Sequence, residues 1–234
     1  MNEVLLMIED LDAYYGDFQA LFGVNLSLRE GQVLAMIGAN GAGKSTLMRA
    51  ITGLVPVAPE AVRYRGAAIG GLAPDRIAHR GIAMVPEGRR LFRSLSVEEN
   101  LLIGAETARP GRWSLDEVYA LFPILKEKRN HPGTELSGGQ QQMVAVGRAL
   151  MANPELILFD EISLGLAPVV IRDIYQALPA IVETGVSVIL VEQDIARALR
   201  DAHWFICMQE GRVSLSGRPG DFTREQITAA YFGT

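Results

Sequence analysis

The sequence predicts an α/β fold with a mainly parallel core sheet, an antiparallel β part on its N-terminal side and a helical insertion. Residues 156–159 and 204–208 are continuous apolar runs, residues 186–191 are apolar apart from Ser187, and stretches of helical spacing separate them. That is the pattern of parallel strands buried on both faces. Short strand-like runs broken by turns fill the chain to about residue 37. Between about residues 88 and 152 the strand pattern gives way to apolar residues at helical spacing.

Taken in order, strands are expected at Val4 to Ile8, Gly23 to Leu28 and Gln32 to Ile37. A helix follows from Lys44 to about Gly53, where Gly53 and then Pro56 end it. A short strand near Val62 to Tyr64 leads through a polar turn to a helix around Pro74 to Arg80, and Ile82 to Val85 is a buried strand. The insertion carries helices over Val97 to Ala105, Leu115 to Lys128 and Gln141 to Met151. The alternation then resumes with strand Leu156 to Phe159, helix Val169 to Glu183, strand Val186 to Val191, helix Ile195 to Ala202 and strand Trp204 to Met208. The expected organisation is one domain over residues 1–234, with a helical subdomain at about 88–152.

Between the strand at Val33 to Ile37 and the helix from Thr46 stand Gly38, Ala39, Asn40, Gly41, Ala42, Gly43, Lys44 and Ser45. This is the G-x-x-x-x-G-K-[ST] phosphate loop in the strand–loop–helix context it requires. Glycines let the backbone wrap closely, so successive N–H groups point at a phosphate chain, and the helix N-terminus adds partial positive charge. Lys44 supplies a full charge to the outer phosphates, and the Ser45 hydroxyl can ligate Mg²⁺. Average residue usage places the pattern by chance in about one chain in a hundred of this size. The loop implies binding of a nucleoside triphosphate.

Composition bounds the rest. With 49% apolar and 21% charged residues the chain can bury a proper core. A net charge of −5 and the lack of a long Lys/Arg run argue against a nucleic-acid surface. The single cysteine, Cys207, lies in an apolar strand run and reads as a buried thiol. Glu9 and Asp10 interrupt any signal-peptide pattern, and no apolar run approaches the ~18 residues of a membrane span. Work at a membrane therefore needs another chain to supply the membrane part.

Leu136-Ser137-Gly138-Gly139-Gln140 opens the helix at Gln141, with Ser137 as a candidate N-cap and paired glycines exposing N–H groups to an anion. By residue chemistry alone an ordinary capped helix explains it as well. The full string resembles the signature of ATP-binding-cassette (ABC) ATPases, and a chance match is of order one in several thousand chains. Leu156 to Phe159 followed by Asp160 and Glu161 resembles the Walker B strand, which delivers carboxylates to the sheet edge. Tyr15, just before Gly16, stands where cassettes carry an aromatic residue that stacks on adenine. Residues 85–92 (VPEGRRLF), 163–168 (SLGLAP) and 191–193 (VEQ) are similar to the LivF-type ATPases of branched-chain amino-acid importers. Urea and short-chain amide importers share much of this wording.

The resemblance implies a P-loop NTPase fold, ATP and Mg²⁺ as cofactors, and site roles. The nucleotide would be held by Tyr15, residues 38–45, Thr46 and, across a head-to-tail pair, Ser137, Gly138, Gly139 and Gln140. Asp160 would hold Mg²⁺ with Ser45, and Glu161 would polarise the attacking water. Glu87 replaces the usual Q-loop glutamine, which senses Mg²⁺ or water and contacts the transporter; a carboxylate can ligate metal but cannot donate to phosphate. Gln193 replaces the usual switch histidine; its amide can donate to the γ-phosphate but does not titrate near neutral pH. Ile162 stands where the family usually has proline, leaving the turn freer and adding an N–H.

The implied partners are a LivG-type second cassette, two transmembrane permease subunits and, indirectly, an external binding protein, at the cytoplasmic face of the cell membrane. A soluble cassette ATPase acting on DNA or ribosomes would need a coiled coil, a second cassette or basic surfaces, none of which the sequence contains. A P-loop kinase or GTPase is disfavoured by the signature and by the lack of an Asn-Lys-x-Asp motif.

Overall fold

A computed structural model describes residues 3–233. The elements are β1 (Val4–Tyr15), β2 (Phe18–Arg29), β3 (Val33–Ile37), α1 (Lys44–Ile51), β4 (Val62–Tyr64), β5 (Ala67–Ala68) and α2 (Pro74–His79). They continue with β6 (Ile82–Val85), α3 (Val97–Gly104), α4 (Leu115–Leu121), α5 (Pro123–Glu127), α6 (Gly138–Met151), β7 (Leu156–Asp160) and α7 (Pro168–Glu183). The chain closes with β8 (Ser187–Val191), α8 (Ile195–Arg200), β9 (Trp204–Gln209), β10 (Arg212–Gly217) and α9 (Arg224–Phe232). The described residues form two compact units. One runs to Ile77 and resumes at Ser187; the other is Ala78–Val186.

In the first unit β2, β1, β4 and β5 form an antiparallel sheet in that order. The expected strands at Val4 to Ile8 and Gly23 to Leu28 are parts of one long hairpin closing at Tyr15↔Phe18. Its register shifts between Ile8 and Leu11, where Asp10 takes φ 44° and exchanges side-chain and backbone hydrogen bonds with Asn25. The bulge puts polar residues mid-strand and breaks the alternation that marks a strand in sequence. The parallel part follows expectation: β3 pairs with β8 on one side and β9 on the other, and β10 adds antiparallel to β9. Every residue of β3 and β8 is buried. Cys207 is fully buried in β9, with Ile227 of α9 in the same apolar cluster. Neither β10 nor α9 was expected.

In the second unit β6 and β7 pair in parallel, and the helices from α3 to α6 intervene between them in sequence. The expected helix Leu115 to Lys128 is two helices. Phe122, at φ −130° and ψ 79°, breaks it because Pro123 denies its predecessor helical geometry and restarts the chain as a new N-terminus. The expected helix Gln141 to Met151 begins earlier, at Gly138, capped by Ser137. Gly147 lets α6 approach closely, since an added Cβ there would meet Leu101 and Val118 side chains at 2.8 Å.

Candidate functional site

The phosphate loop leaves β3 as Gly38 and enters α1 at Lys44. Gly41 and Gly43 take φ 84° and 101°, which only glycine adopts without strain. At Gly43 a Cβ would also lie 2.8 Å from Leu21 Cδ2 and 3.2 Å from Gly211 Cα. Gly211 N donates to Ala42 O at 3.0 Å, so the turn before β10 holds the loop from outside. Lys44, only 4% exposed, folds back over the loop and donates from Nζ to the carbonyls of Gly38 (2.7 Å) and Ala39 (3.1 Å). These bonds offset the cost of burying the ammonium and place it over the cradle. Ala39, Asn40 and Gly41 are exposed; Ser45 and Thr46 lie half-buried in the first turn of α1, which has no acidic residue.

Two further predicted residues lie in the same unit, Gln193 against this loop and Tyr15 against α1. Met36 of β3 lies opposite Val191 of β8, so the two strands end together. Gln193, exposed just beyond β8, donates from Nε2 to Asn40 Oδ1 at 3.3 Å. Glu192 beside it is 2% exposed, with Arg197 at 4.0 Å. Tyr15 ends β1, exposed, and its hydroxyl accepts from Arg49 of α1 at 3.4 Å. Burial works to raise the phenol's pKa, but hydrogen bonds with Thr46 and Arg49 and the charge of Arg49 bring it below its ordinary value. The contacts of Asn40 and Arg49 were not foreseen; no sequence spacing signals a bond between residues 40 and 193.

The second unit carries the remaining predicted residues. Asp160 ends β7 and is 5% exposed. Glu161 is half-buried at φ 50°, left-handed geometry that costs a non-glycine residue on the order of 1–3 kcal/mol. Ile162 is 1% exposed, so packing rather than a proline ring holds this turn. Ser137 caps α6 in a reciprocal box: its Oγ accepts from Gln140 N (3.3 Å) while Gln140 Oε1 accepts from Ser137 N (3.0 Å). The Gly138 and Gly139 amides in that first turn have no intrahelical acceptor, which suits an anion. Gly139 lies tight against Val170, where any Cβ would collide. Glu87, exposed after β6, lines a cleft of about 650 Å³ with Arg89, Arg90, Arg93, Thr134 and Gln141.

A phosphate loop at the end of a parallel strand, a strand-end carboxylate pair and a Leu-Ser-Gly-Gly-Gln helix start define a phosphate-loop ATPase of the cassette class. A match to the ABC transporter family spans residues 21–163, and the chain belongs to that family. It is similar to the high-affinity branched-chain amino acid transport ATP-binding protein BraG of Pseudomonas aeruginosa, 40% identical over 232 residues covering 98% of this chain and 100% of BraG. This bears out the likeness to branched-chain importer ATPases read from residues 85–92, 163–168 and 191–193. Among solved structures, the ADP conformation of MJ1267, an ATP-binding cassette of an ABC transporter, superposes with TM-score 0.84 at 28% identity, covering 99% of this chain and 100% of that one. A dimeric post-hydrolysis state of the cassette MJ0796 with ADP and Pi gives TM-score 0.80 at 27% identity over 92% and 98% of the two chains. The chain is thus an ABC ATP-binding subunit and an ATPase. Among the described residues no helix is long and apolar enough to cross a membrane.

Ile162 yields a direct test of the turn. A proline at 162 pushes its predecessor toward negative φ and extended ψ, against the φ of 50° that Glu161 holds. Ile162→Pro is expected to destabilise the chain by about 1–3 kcal/mol and to lower kcat. A melting temperature and turnover equal to the parent's would show that the turn accepts either residue.

Proposed function

We propose that the chain is the ATP-hydrolysing subunit of a branched-chain amino-acid importer, seated peripherally on the cytoplasmic face of the cell membrane. The cargo reading is supported by the near full-length likeness to BraG. The observation that carries the catalytic reading is the convergence of Lys44, Asn40 and Gln193 on one loop, since it brings the switch position to the phosphate cradle. In this reading residues 38–46 wrap the phosphates, Lys44 exchanges its loop carbonyls for phosphate oxygens, and Tyr15 stacks on adenine. Ser137, Gly138, Gly139 and Gln140 meet the nucleotide of a second cassette.

The donor chemistry fits Mg²⁺: a serine hydroxyl at Ser45 and carboxylates at Asp160 and Glu87 are hard oxygen ligands, which that ion takes along with phosphates and water. The ion would neutralise charge on the phosphates. Glu161 accepts a proton from the attacking water, and the Gln193 amide donates to the γ-phosphate as charge develops there. The partners follow from the same reading: a LivG-type cassette arranged head to tail, and two permease subunits. The dimeric MJ0796 structure supports the pairing. Residues 1–234 read as one ATP-binding domain whose helical subdomain, about 88–152, is supported by the helices between Val97 and Met151.

Lys44→Ala is expected to abolish nucleotide binding, because it removes both the charge on the outer phosphates and the tie across the loop. Near-normal affinity in a fluorescent-nucleotide titration would overturn the loop assignment.

Glu161→Gln should keep ATP binding and stop turnover, since the amide preserves shape but is no base. Parent-like ATPase rates would move the base elsewhere.

Gln193→Ala should cut kcat by the worth of one hydrogen bond aimed at transition-state charge, roughly 2.7–4 kcal/mol. Gln193→His should restore part of it and add a pH dependence between about pH 5 and 8 that the glutamine form lacks. Steady-state ATPase of the three forms across that range decides; an alanine form as fast as the parent removes Gln193 from the mechanism.

A further inference from the structure

Arg148, far along α6 from its signature end, reaches the loop that follows Glu87. Its Nη1 donates to Arg90 O at 2.9 Å and its Nη2 to Arg89 O at 3.1 Å, while its Cζ lies 5.7 Å from the Phe92 ring centroid. The two carbonyls belong to consecutive left-handed residues, Arg89 at φ 66° and Arg90 at φ 49°. Such geometry costs about 1–3 kcal/mol per residue and persists only where the surroundings over-determine it. A planar guanidinium supplies that determination by holding the two carbonyls from two nitrogens in a fixed fork, which an ammonium, with one freely rotating nitrogen, does not reproduce.

The far end of the same loop is pinned separately. Asn100, fully buried, accepts from Phe92 N at 2.9 Å and donates to the carbonyls of Phe92 (3.1 Å), Leu95 (3.2 Å) and Ser96 (2.9 Å). Between the two anchors the Arg89 side chain turns toward the start of α6. Its Nη1 donates to Gln141 Oε1 at 3.2 Å, and its guanidinium covers Gly138 so closely that a Cβ there would lie 2.9 Å from Nη2. Gln141 in turn donates from Nε2 to the carbonyls of Leu136 (3.1 Å) and Gly133 (3.2 Å), the segment that leads into Ser137.

We infer that Arg148 is a positioning residue for nucleotide-driven pairing. By gripping the Arg89 and Arg90 carbonyls it sets the Arg89 side chain, and through Gln141 it sets the entry into Ser137–Gln140. The geometry of the signature is thereby tied to the loop that carries Glu87. This rests on the reading that Ser137–Gln140 meets the nucleotide of a second cassette.

The test uses the full chain with its partner cassette, in a Glu161→Gln background that holds ATP. Arg148→Lys keeps the charge but loses the fixed fork, with one donor nitrogen where the guanidinium uses two. It is expected to leave the ATP affinity of the lone chain within about two-fold of the parent, and to weaken ATP-driven pairing by about tenfold or more in sedimentation. Arg89→Ala should weaken pairing similarly, and the double variant should be no worse than the stronger single, because both act through one chain of contacts. Parent-like pairing of Arg148→Lys, fully additive effects, or a loss of ATP affinity in step with the melting temperature would each overturn the inference. Ser137→Glu places a carboxylate against the nucleotide and tests the signature contact apart from Arg148. If it pairs normally, the signature reading fails and the inference falls with it. If it blocks pairing while Arg148→Lys does not, the inference alone fails.

Discussion

The parallel pairing of β3 with β8 is the constraint on which the phosphate end depends. Glu192 N donates to Met36 O at 3.3 Å, so both strands stop at the same level. The loops that follow then emerge side by side, Gly38 to Gly43 from one strand and Gln193 from the other. Parallel sheets place their ligands at the carboxyl ends of their strands for this reason: every crossover starts there. β9 completes the clamp on the other side of β3, and the turn at Gly211 that follows it presses on Ala42 and Gly43. The loop's shape is therefore held by the strands and the turn around it.

The ammonium of Lys44 shows what that preparation consists of. A buried cation without acceptors would be expensive, and the loop's own carbonyls at Gly38 and Ala39 supply them. Charged acceptors in their place would make stronger hydrogen bonds without moving the charge far. Tyr15 is tied to the same helix through Thr46 and Arg49, so it and the loop that enters α1 share one rigid element.

In the second unit, some of the left-handed backbone falls beside the predicted site residues. Glu161 at φ 50°, and Arg89 and Arg90 at φ 66° and 49°, are non-glycine residues in left-handed geometry. Each is held by something identifiable nearby: the buried Ile162 beside Glu161, the Arg148 guanidinium on the two arginine carbonyls. Strain of this kind aims side chains where regular structure would not, and it persists because packing and hydrogen bonds leave no relaxed alternative.

The phosphate loop, the carboxylates after β7 and the signature were legible in the sequence because each is a local pattern in which neighbouring residues act together. Buried parallel strands were legible for the same reason, as mainly apolar runs. The hairpin of β1 and β2 was not, since the bulge at Asp10 is stabilised by Asn25 from the opposite strand and interrupts the alternation. The break at Pro123 was readable by a local rule, yet the apolar spacing on either side concealed it. The sequence by itself determined which residues carry donors and carboxylates suited to phosphate, metal and water, because that follows from side-chain chemistry and short spacing. Only the tertiary structure decided that Gln193 reaches Asn40 and that Arg148 grips the loop after Glu87. Those partners are brought together by strand register and helix packing over long separations, and no local propensity encodes such distances.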